Sequence, residues 1–256
     1  MSRTFDALTK AETTSKKQKR NGVNFSALSV FKDKRKPIRI DFDLDPFVEE
    51  QYHKLRRHLL PNSKRAAVKV VMVAATDHGE GCTTTAAILA STLARSVNSK
   101  ILLVDANLRT PALDQVFEQG QGYKLLGLAD TVLAEAPLDQ SIYQTDIPNL
   151  FFMPCGKAIT SPSYVFDNAP ISDMLSELRQ RFDLVIFDGS PLRDYSDSSF
   201  LAEKMDGVIL VVEAERTKAE VLKKIRKDLE STGVNILGVV LNKKRNYIPT
   251  YLERFL

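Results

Sequence analysis

One segment of the sequence combines residue types that bind phosphate groups. An apolar run leads into Gly79-Glu80-Gly81-Cys82-Thr83-Thr84, and a helical pattern follows. A buried strand that enters a glycine-containing loop and then a helix directs backbone N–H groups and the helix dipole at an anion. The pattern G-x-x-x-x-G-K-[ST] describes such a loop. Gly81 and Thr83 match it, whereas Thr76 replaces its first glycine and Cys82 replaces its lysine.

Two later strands are each predicted to end in a carboxylate. Ile101–Asp105 and Leu184–Asp188 are short apolar runs whose last residue is an aspartate. An acid at the carboxyl end of a buried strand is well placed to orient the water ligands of Mg²⁺ beside a nucleotide. Two such acids, downstream of a phosphate-loop pattern, favour a magnesium–nucleotide site. A purely structural role, in which both aspartates only cap the following helices, stays open.

The elements that must position these residues alternate along the chain. We predict strands at 68–75, 101–105, 150–153, 184–188, 207–212 and 236–241, and helices at 46–60, 83–97, 171–182 and 218–231. Strands that alternate with helices form βαβ units, so we predict an α/β fold with a mostly parallel β-sheet and helices on both faces. In such doubly wound sheets, ligands bind beyond the carboxyl ends of the strands.

Composition places the chain among globular proteins. Its 256 residues are 43% hydrophobic and 27% charged, which is typical of a globular domain. The longest apolar runs fall far short of the roughly 20 residues that a transmembrane helix needs. No apolar stretch follows Met1, so we expect no signal peptide and a cytoplasmic location. Cys82 and Cys155 are the two cysteines, too few for a disulfide framework or a cysteine metal cluster.

Positive charge concentrates in the first 40 residues. This segment holds eleven Lys or Arg and three Asp or Glu, whereas the other 216 residues hold 25 and 29. We therefore predict a basic, flexible N-terminal arm over 1–40 and one domain over 41–256. Such an arm could contact an anionic membrane surface or an acidic partner, or simply remain solvated. It lacks the interleaved aromatic and basic residues typical of nucleic-acid binding, so we expect no nucleic-acid partner.

The order of these motifs resembles the ATP-binding domain of bacterial tyrosine kinases (BY-kinases). This P-loop NTPase family acts with membrane polysaccharide co-polymerases in capsule and exopolysaccharide export, and it shares the deviant-Walker branch with the MinD and ParA ATPases. The resemblance covers about residues 46–256. It rests on the loop at 79–84 and on VDANLRTP at 104–111, GLAD at 127–130, FDLVIFD at 182–188, SD at 196–197, DGVILVV at 206–212 and GVVLN at 238–242.

The resemblance implies a role for each matching residue. The phosphates of ATP or ADP would be surrounded by Gly79, Glu80, Gly81, Cys82, Thr83 and Thr84, and Asn242 would lie near the adenine. Mg²⁺ would be held by Thr83, Asp105 and Asp188, of which the two aspartates would also be the catalytic acids of an active enzyme. A family motif for self-association, E-x-x-R-x-x-R, aligns with Glu50, His53 and Arg56, which implies a homo-oligomer.

Three positions depart from the family pattern. Cys82 stands in place of the loop lysine, Asn107 in place of a second carboxylate, and His53 in place of an arginine. A charged hydrogen bond to phosphate contributes about 1.5–3 kcal/mol, so loss of the lysine predicts nucleotide binding roughly 10- to 150-fold weaker. Catalysis should lose more, because phosphoryl transfer depends on charge stabilisation. Replacement cations could come from Lys100, Arg109 or Lys243. We favour Arg109 because it follows the Asp105 strand, and a solvated salt bridge stays open as its alternative role.

The sequence therefore predicts a catalytically impaired regulatory partner of a membrane polysaccharide co-polymerase, recruited to the inner face of the cell membrane. We expect weak or lost binding of ATP, ADP and Mg²⁺. We also expect the family's tyrosine-rich tail to be missing, because the last ten residues include only Tyr247 and Tyr251. Whether the chain is an enzyme stays open. One alternative is an active ATP-dependent protein-tyrosine autokinase, and another is an ATPase switch of the MinD or ParA type.

Overall fold

Runs of valine, isoleucine and leucine form the strands of a central seven-stranded sheet. The computed structural model describes residues 38–40, 46–59, 68–96, 99–113, 117–118, 125–159, 161–163, 166 and 171–244. The strands in these ranges are β1 (Arg39–Ile40), β2 (Val70–Ala75), β3 (Ile101–Asp105), β4 (Phe117–Glu118), β5 (Tyr143–Gln144), β6 (Leu150–Met153), β7 (Leu184–Asp188), β8 (Gly207–Glu213) and β9 (Ile236–Asn242).

Six helices connect or precede these strands in the described part of the chain. They are α1 (Pro46–Leu59), α2 (Cys82–Ser96), α3 (Leu128–Val132), α4 (Ile171–Arg181), α5 (Asp197–Ala202) and α6 (Ala219–Ser231), and a 3₁₀ turn spans Leu138–Gln140. Each of the longer helices has its apolar residues at helical spacing. In α4, for example, the buried residues are Ile171, Met174, Leu175 and Leu178, which form one stripe that faces the sheet.

The main sheet has the strand order β5-β6-β3-β7-β2-β8-β9. All neighbouring strands are parallel except β5, which pairs antiparallel with β6 at one edge. The α/β fold with a mostly parallel sheet, predicted from the sequence, is confirmed. A second, two-stranded sheet is formed by the antiparallel pair β1 and β4.

Helices cover both faces of the sheet, which explains why its strands are continuously apolar. On one face, Leu89 and Leu93 of α2 belong to a single core cluster. The cluster also includes Leu59 of α1 and the strand residues Val73 of β2 and Ile209 of β8. The helices α4, α5 and α6 contact β7, β2 and β9, respectively. Every residue of β2, β3, β6 and β7 is buried, so both faces of the central strands are removed from water.

The predicted strands and helices are present, with ends that differ by at most two residues. β2 begins at Val70 rather than at residue 68, and α2 begins at Cys82 rather than at residue 83. The sequence pattern did not indicate β1, β4, β5, α3 or α5. These elements have two residues in each strand and five or six in each helix, too few to show a hydrophobic period.

Three residues that the sequence analysis assigns to the N-terminal arm pair with the domain. Ile38 is 8% exposed, its N–H donates to the Gln144 carbonyl at 3.2 Å, and its carbonyl accepts from the Asp146 N–H at 2.9 Å. Arg39 and Ile40 pair with β4. The polar composition around Pro37 hid this short apolar segment. A separate arm and domain stay a prediction, and residues 1–37 lie outside the described residues.

None of the helices in the described ranges has the length and apolar character that crossing a bilayer requires.

Deletion variants test where the domain begins. A chain that lacks residues 1–40 should be less stable than one that lacks residues 1–36, because only the longer deletion removes the buried Ile38 side chain and its two backbone hydrogen bonds. We expect a loss of about 1–3 kcal/mol in the free energy of unfolding. Urea denaturation followed by circular dichroism measures the difference. Equal stability of the two variants would show that the β1 segment does not contribute to the folded domain.

Candidate functional site

The loop between β2 and α2 has the backbone conformation that its glycines permit. Gly79 and Gly81 have φ angles of +77° and +91°, in the left-handed region that other residues rarely adopt. A Cβ atom on Gly81 would lie 2.2 Å from Nδ2 of Asn242, so no other residue fits there without displacing Asn242. The first N–H groups of α2 have no partner within the helix, which leaves them available to an anion.

Glu80 holds this loop in place with a buried side chain. The residue is 1% exposed. One of its carboxylate oxygens accepts hydrogen bonds from the N–H groups of Thr76 at 2.7 Å and Asp77 at 3.0 Å, and the Thr76 hydroxyl donates to the same carboxylate at 2.8 Å. The Thr217 hydroxyl, from the segment between β8 and α6, donates to it as well. The Glu80 side chain therefore stabilises the loop conformation. A phosphate-binding role of Glu80 stays a prediction, and it concerns the backbone N–H of this residue rather than its carboxylate.

Cys82 directs its thiol towards the core of the sheet. The sulfur lies 3.1 Å from Oδ1 of Asp188 and 3.2 Å from the Val73 carbonyl oxygen. Burial, followed by the nearby charge of Asp188, raises the pKa of the Cys82 thiol well above its ordinary value. A helix N-terminus alone would lower that pKa, but here the buried surroundings dominate. The thiol is therefore a neutral hydrogen-bond donor at physiological pH and adds no positive charge to the loop.

Among the buried carboxyl groups that the structure describes, that of Asp188 has an oxygen without a protein partner. It is fully buried, and its Oδ2 atom has no hydrogen-bond partner among the described residues. Burial raises the pKa of Asp188 to about 6, although hydrogen bonds from the Thr83 and Cys82 side chains lower it in part. An unsatisfied buried carboxylate oxygen next to a threonine hydroxyl fits the oxygen ligands that Mg²⁺ prefers.

Asp105 lies next to Asp188 but is engaged by its own chain. The two residues are register partners in the parallel pair β3 and β7. The Asp105 carboxylate accepts the backbone N–H groups of Asn107 at 3.1 Å and Leu113 at 3.2 Å, so it caps the segment that follows β3. This is the structural role that the sequence analysis left open, and a metal-binding role for Asp105 stays a prediction.

Asn107 uses its amide to join two loops at this edge of the sheet. Its Oδ1 atom accepts from the Ser190 hydroxyl at 2.9 Å and from the Thr110 N–H at 3.2 Å, and its Nδ2 group donates to the Thr110 hydroxyl at 3.1 Å. Ser190 follows β7, so Asn107 connects the segments after β3 and β7. The neutral amide thus has a structural function at the position where the family carries a carboxylate.

Glu80, Cys82 and Asn107 border a cleft of about 530 Å³ beyond the carboxyl ends of β2, β3 and β7, and Gly189, which directly follows Asp188, lines it as well. Its lining includes Gly79, Gly81, Thr83 and Thr84 from the loop and Lys243 from beyond β9. Within the described residues, no group of three or more His, Cys, Asp and Glu side chains could enclose a metal ion. Mg²⁺ usually takes one or two carboxylates and completes its shell with phosphate and water. The glycine cradle and the unsatisfied Asp188 therefore fit a magnesium nucleotide.

The basic residues near the cleft differ from the prediction. Arg109, which we favoured as the replacement cation, forms an ion pair with the buried Asp197 and lies 4.5 Å over the Tyr195 ring. Lys100 precedes β3 and thus lies at the opposite end of the sheet. Arg193 forms an ion pair with Asp77 at 3.1 Å. Arg109 thus forms a salt bridge, the alternative left open for it, and this long-range ion pair, which local spacing does not reveal, holds its side chain outside the cleft lining.

The end of β9 is fastened to the loop. The side-chain amide of Asn242 donates to the Glu80 carbonyl at 2.8 Å, and the Lys243 ammonium donates to the Gly79 carbonyl at 2.7 Å and to Glu213 at 3.0 Å. Asn242 is thus beside the phosphate loop, and its contact with an adenine stays a prediction. Lys243 is one of the three possible replacement cations that the sequence offers, and its ammonium group lies at the loop.

The predicted self-association residues lie on helix α1, where Glu50 and His53 each form a pair with another residue of the helix. Glu50 is exposed and pairs with Lys54 at 3.3 Å. His53 is half-buried, with Nε2 3.8 Å from Glu49 and with a buried Nδ1 that has no partner in the described ranges. The side chain of Arg56 lies outside the described residues. A role of this helix in assembly stays a prediction.

Comparison with known proteins identifies the family. Residues 68–235 match the AAA domain family AAA_31. The tyrosine-protein kinase CpsD of Streptococcus agalactiae serotype III is 30% identical over 203 residues, which cover 79% of this chain and 85% of CpsD. The crystal structure of the VpsO kinase domain superposes with a TM-score of 0.69 at 28% identity and covers 78% of this chain and 96% of that domain.

A more distant structure shows the same fold. The septum site-determining protein MinD of Pyrococcus horikoshii, solved with Mg-ADP, superposes with a TM-score of 0.58 at 22% identity, over 73% of this chain and 76% of MinD. At that identity the likeness concerns the fold alone. Together with the kinase relatives, it confirms the resemblance inferred from the motifs. The chain therefore belongs to the bacterial tyrosine kinase family, with a P-loop domain of the MinD and ParA type.

Proposed function

We propose that this protein binds a magnesium nucleotide weakly and acts as a catalytically impaired regulatory member of the bacterial tyrosine kinase family. In this proposal it works in capsule or exopolysaccharide biosynthesis and export, as a cytoplasmic partner of a membrane polysaccharide co-polymerase. The partner and the process are those that the family resemblance implies.

One observation carries the proposal of impairment. The position of the loop lysine is occupied by Cys82, whose neutral thiol lies within hydrogen-bond distance of Asp188 and of the Val73 carbonyl. Phosphoryl transfer depends mainly on positioning and on stabilisation of charge that develops on the phosphates. The site keeps the loop shape that positions a polyphosphate, but it lacks the lysine that would stabilise the charge developing on the phosphates during transfer. Nucleotide binding should therefore survive better than catalysis.

The remaining residues support nucleotide binding. The left-handed glycines Gly79 and Gly81 shape the loop, Glu80 keeps it in that shape, and the α2 N-terminus supplies N–H donors to phosphate oxygens. Thr83 and Asp188 are the residues that would hold Mg²⁺, which neutralises part of the phosphate charge when bound. The structure of MinD in complex with Mg-ADP supports this choice of ligand.

Recruitment to the membrane belongs to the same proposal. The net positive charge of residues 1–40 could add reversible attraction to an anionic leaflet, at about 1 kcal/mol for each basic residue near the surface. Because Glu50 is exposed and His53 is half-buried on α1, both could contact a second copy of the chain in a homo-oligomer.

An active autokinase is the second candidate. Its support is the kinase relatives, of which CpsD is named a tyrosine-protein kinase, and the retention of both Asp105 and Asp188. A MinD-like switch has weaker support, because the MinD likeness extends to the fold alone.

The two candidates predict different amounts of phosphotyrosine. After incubation with ATP and Mg²⁺, the wild-type chain should carry no more phosphotyrosine than an Asp188→Asn variant, because the phosphates lack the loop cation. Radiolabel incorporation and phosphotyrosine-specific immunoblotting measure this. Strong incorporation in the wild-type chain, absent from Asp188→Asn, would establish the active autokinase and reject the impaired function.

Restoring the lysine should restore affinity. In Cys82→Lys, Thr83 and Asp188 are unchanged, and a new ammonium group can reach the phosphates, so we expect ADP to bind about tenfold more tightly, a gain of about 1.5 kcal/mol. Isothermal titration calorimetry with Mg²⁺ measures the dissociation constant. Cys82→Met is the matched control, because it also lengthens the side chain but adds no charge. Equal affinities for the two variants would contradict the role assigned to the missing charge.

A further inference from the structure

The described residues hold one cation at the phosphate cleft that the family pattern does not assign. Among the described residues that line the cleft, Lys243 is the only lysine or arginine. Its ammonium group lies 2.7 Å from the Gly79 carbonyl, within the phosphate loop itself. We propose that Lys243 supplies the positive charge to bound phosphates that the loop lost when cysteine replaced its lysine. This inference rests on the proposed nucleotide binding.

The backbone around Lys243 is built to bring this side chain to the loop. Asn242 ends β9 and donates to the Glu80 carbonyl at 2.8 Å. Lys243 then turns with a φ angle of +54°, and its N–H donates to Oδ1 of Asn242 at 2.9 Å. A left-handed conformation is uncommon for a lysine. It redirects the chain at the point where the strand meets the loop, so the ammonium reaches the loop from the sheet edge.

Glu213 makes the ammonium group available to a ligand at small cost. Its carboxylate accepts both Lys243 at 3.0 Å and Arg216 at 2.9 Å. If Lys243 turns towards a phosphate, Arg216 still neutralises Glu213, so no unpaired carboxylate remains. The Lys243 side chain is 47% exposed, which leaves it room to change rotamer.

The other basic side chains near the loop have partners that they would have to abandon. Arg193 is paired with Asp77, and Arg109 is paired with Asp197, whose side chain is 2% exposed. Removal of Arg109 would leave a buried carboxylate unpaired, which is costly. Arg216 also lies near the loop and shares Glu213 with Lys243, but of these basic side chains only Lys243 belongs to the described lining of the cleft.

The location of Lys243 also explains why it would support binding rather than phosphoryl transfer. It contacts the exposed outer part of the loop at Gly79, whereas Cys82 and the fully buried Asp188 lie at its inner end. A cation at the outer part attracts the phosphates of the bound nucleotide. It replaces the lost charge for binding, but not for phosphoryl transfer, which needs a charge at the inner end beside Asp188.

Charge substitutions at residue 243 test the inference. Calorimetric titration of the full chain with ADP and Mg²⁺ should give a dissociation constant about tenfold higher for Lys243→Gln than for the wild type, since a charged hydrogen bond to phosphate is lost. Lys243→Arg should stay within about threefold, because the charge is kept. Lys244→Gln is the matched control, since Lys244 is exposed and lies outside the cleft lining. Melting temperatures check that each variant is folded.

A double variant tests whether Lys243 replaces the lost lysine. In a Cys82→Lys background, Lys243→Gln should weaken binding by less than in the wild type, because two cations then serve the same phosphates. Equal losses in both backgrounds would overturn the replacement role.

The outcomes separate this inference from the function on which it rests. If the wild type binds ADP and Lys243→Gln binds equally well, or if Lys244→Gln loses as much affinity, the inference is wrong and the proposed function stands. If the wild type binds neither ADP nor ATP, both are wrong.

Discussion

The in-register parallel pairing of β2, β3 and β7 is the constraint on which the site depends. Backbone hydrogen bonds align Asp105 with Asp188 and Val73 with Asp188, so the phosphate loop and both carboxylates emerge at one edge of the sheet. A shift of one residue would turn each side chain to the opposite face. The apolar residues buried on both faces resist such a shift, and the packing of the core thereby sets the geometry of the cleft.

The buried carboxyl groups of Glu80, Asp105 and Asp188 are satisfied in different ways. Glu80 accepts hydrogen bonds from uncharged groups of Thr76, Asp77 and Thr217. Asp105 accepts hydrogen bonds from two backbone N–H groups. Asp188 keeps one oxygen without a partner in the described ranges. A buried polar atom without a partner is costly unless something else binds it. The first two carboxylates thus stabilise the protein itself, and Asp188 is the one left for a ligand.

The sequence predicted what depends on local pattern. The span Ile101–Asp105 is a strand with the predicted ends, because continuous apolar runs of that length suit a strand buried on both faces. Side-chain directions could not be predicted in the same way. The raised pKa of Cys82 arises from its burial beside Asp188, and the ion pair of Arg109 with Asp197 joins residues far apart in the chain. Such contacts follow from how the strand ends meet, which residue spacing does not reveal.

The brace that Glu80 forms has a consequence for the thermodynamics of binding. A glycine-containing loop usually loses conformational entropy when a ligand orders it. Here the carboxylate holds the loop through Thr76 and through Thr217 of a neighbouring segment, in the protein alone. Most of the ordering entropy is therefore lost during folding rather than on binding. A preorganised loop can retain affinity for a polyphosphate with fewer charges than a mobile loop would need, which makes the exchange of its lysine for a cysteine tolerable.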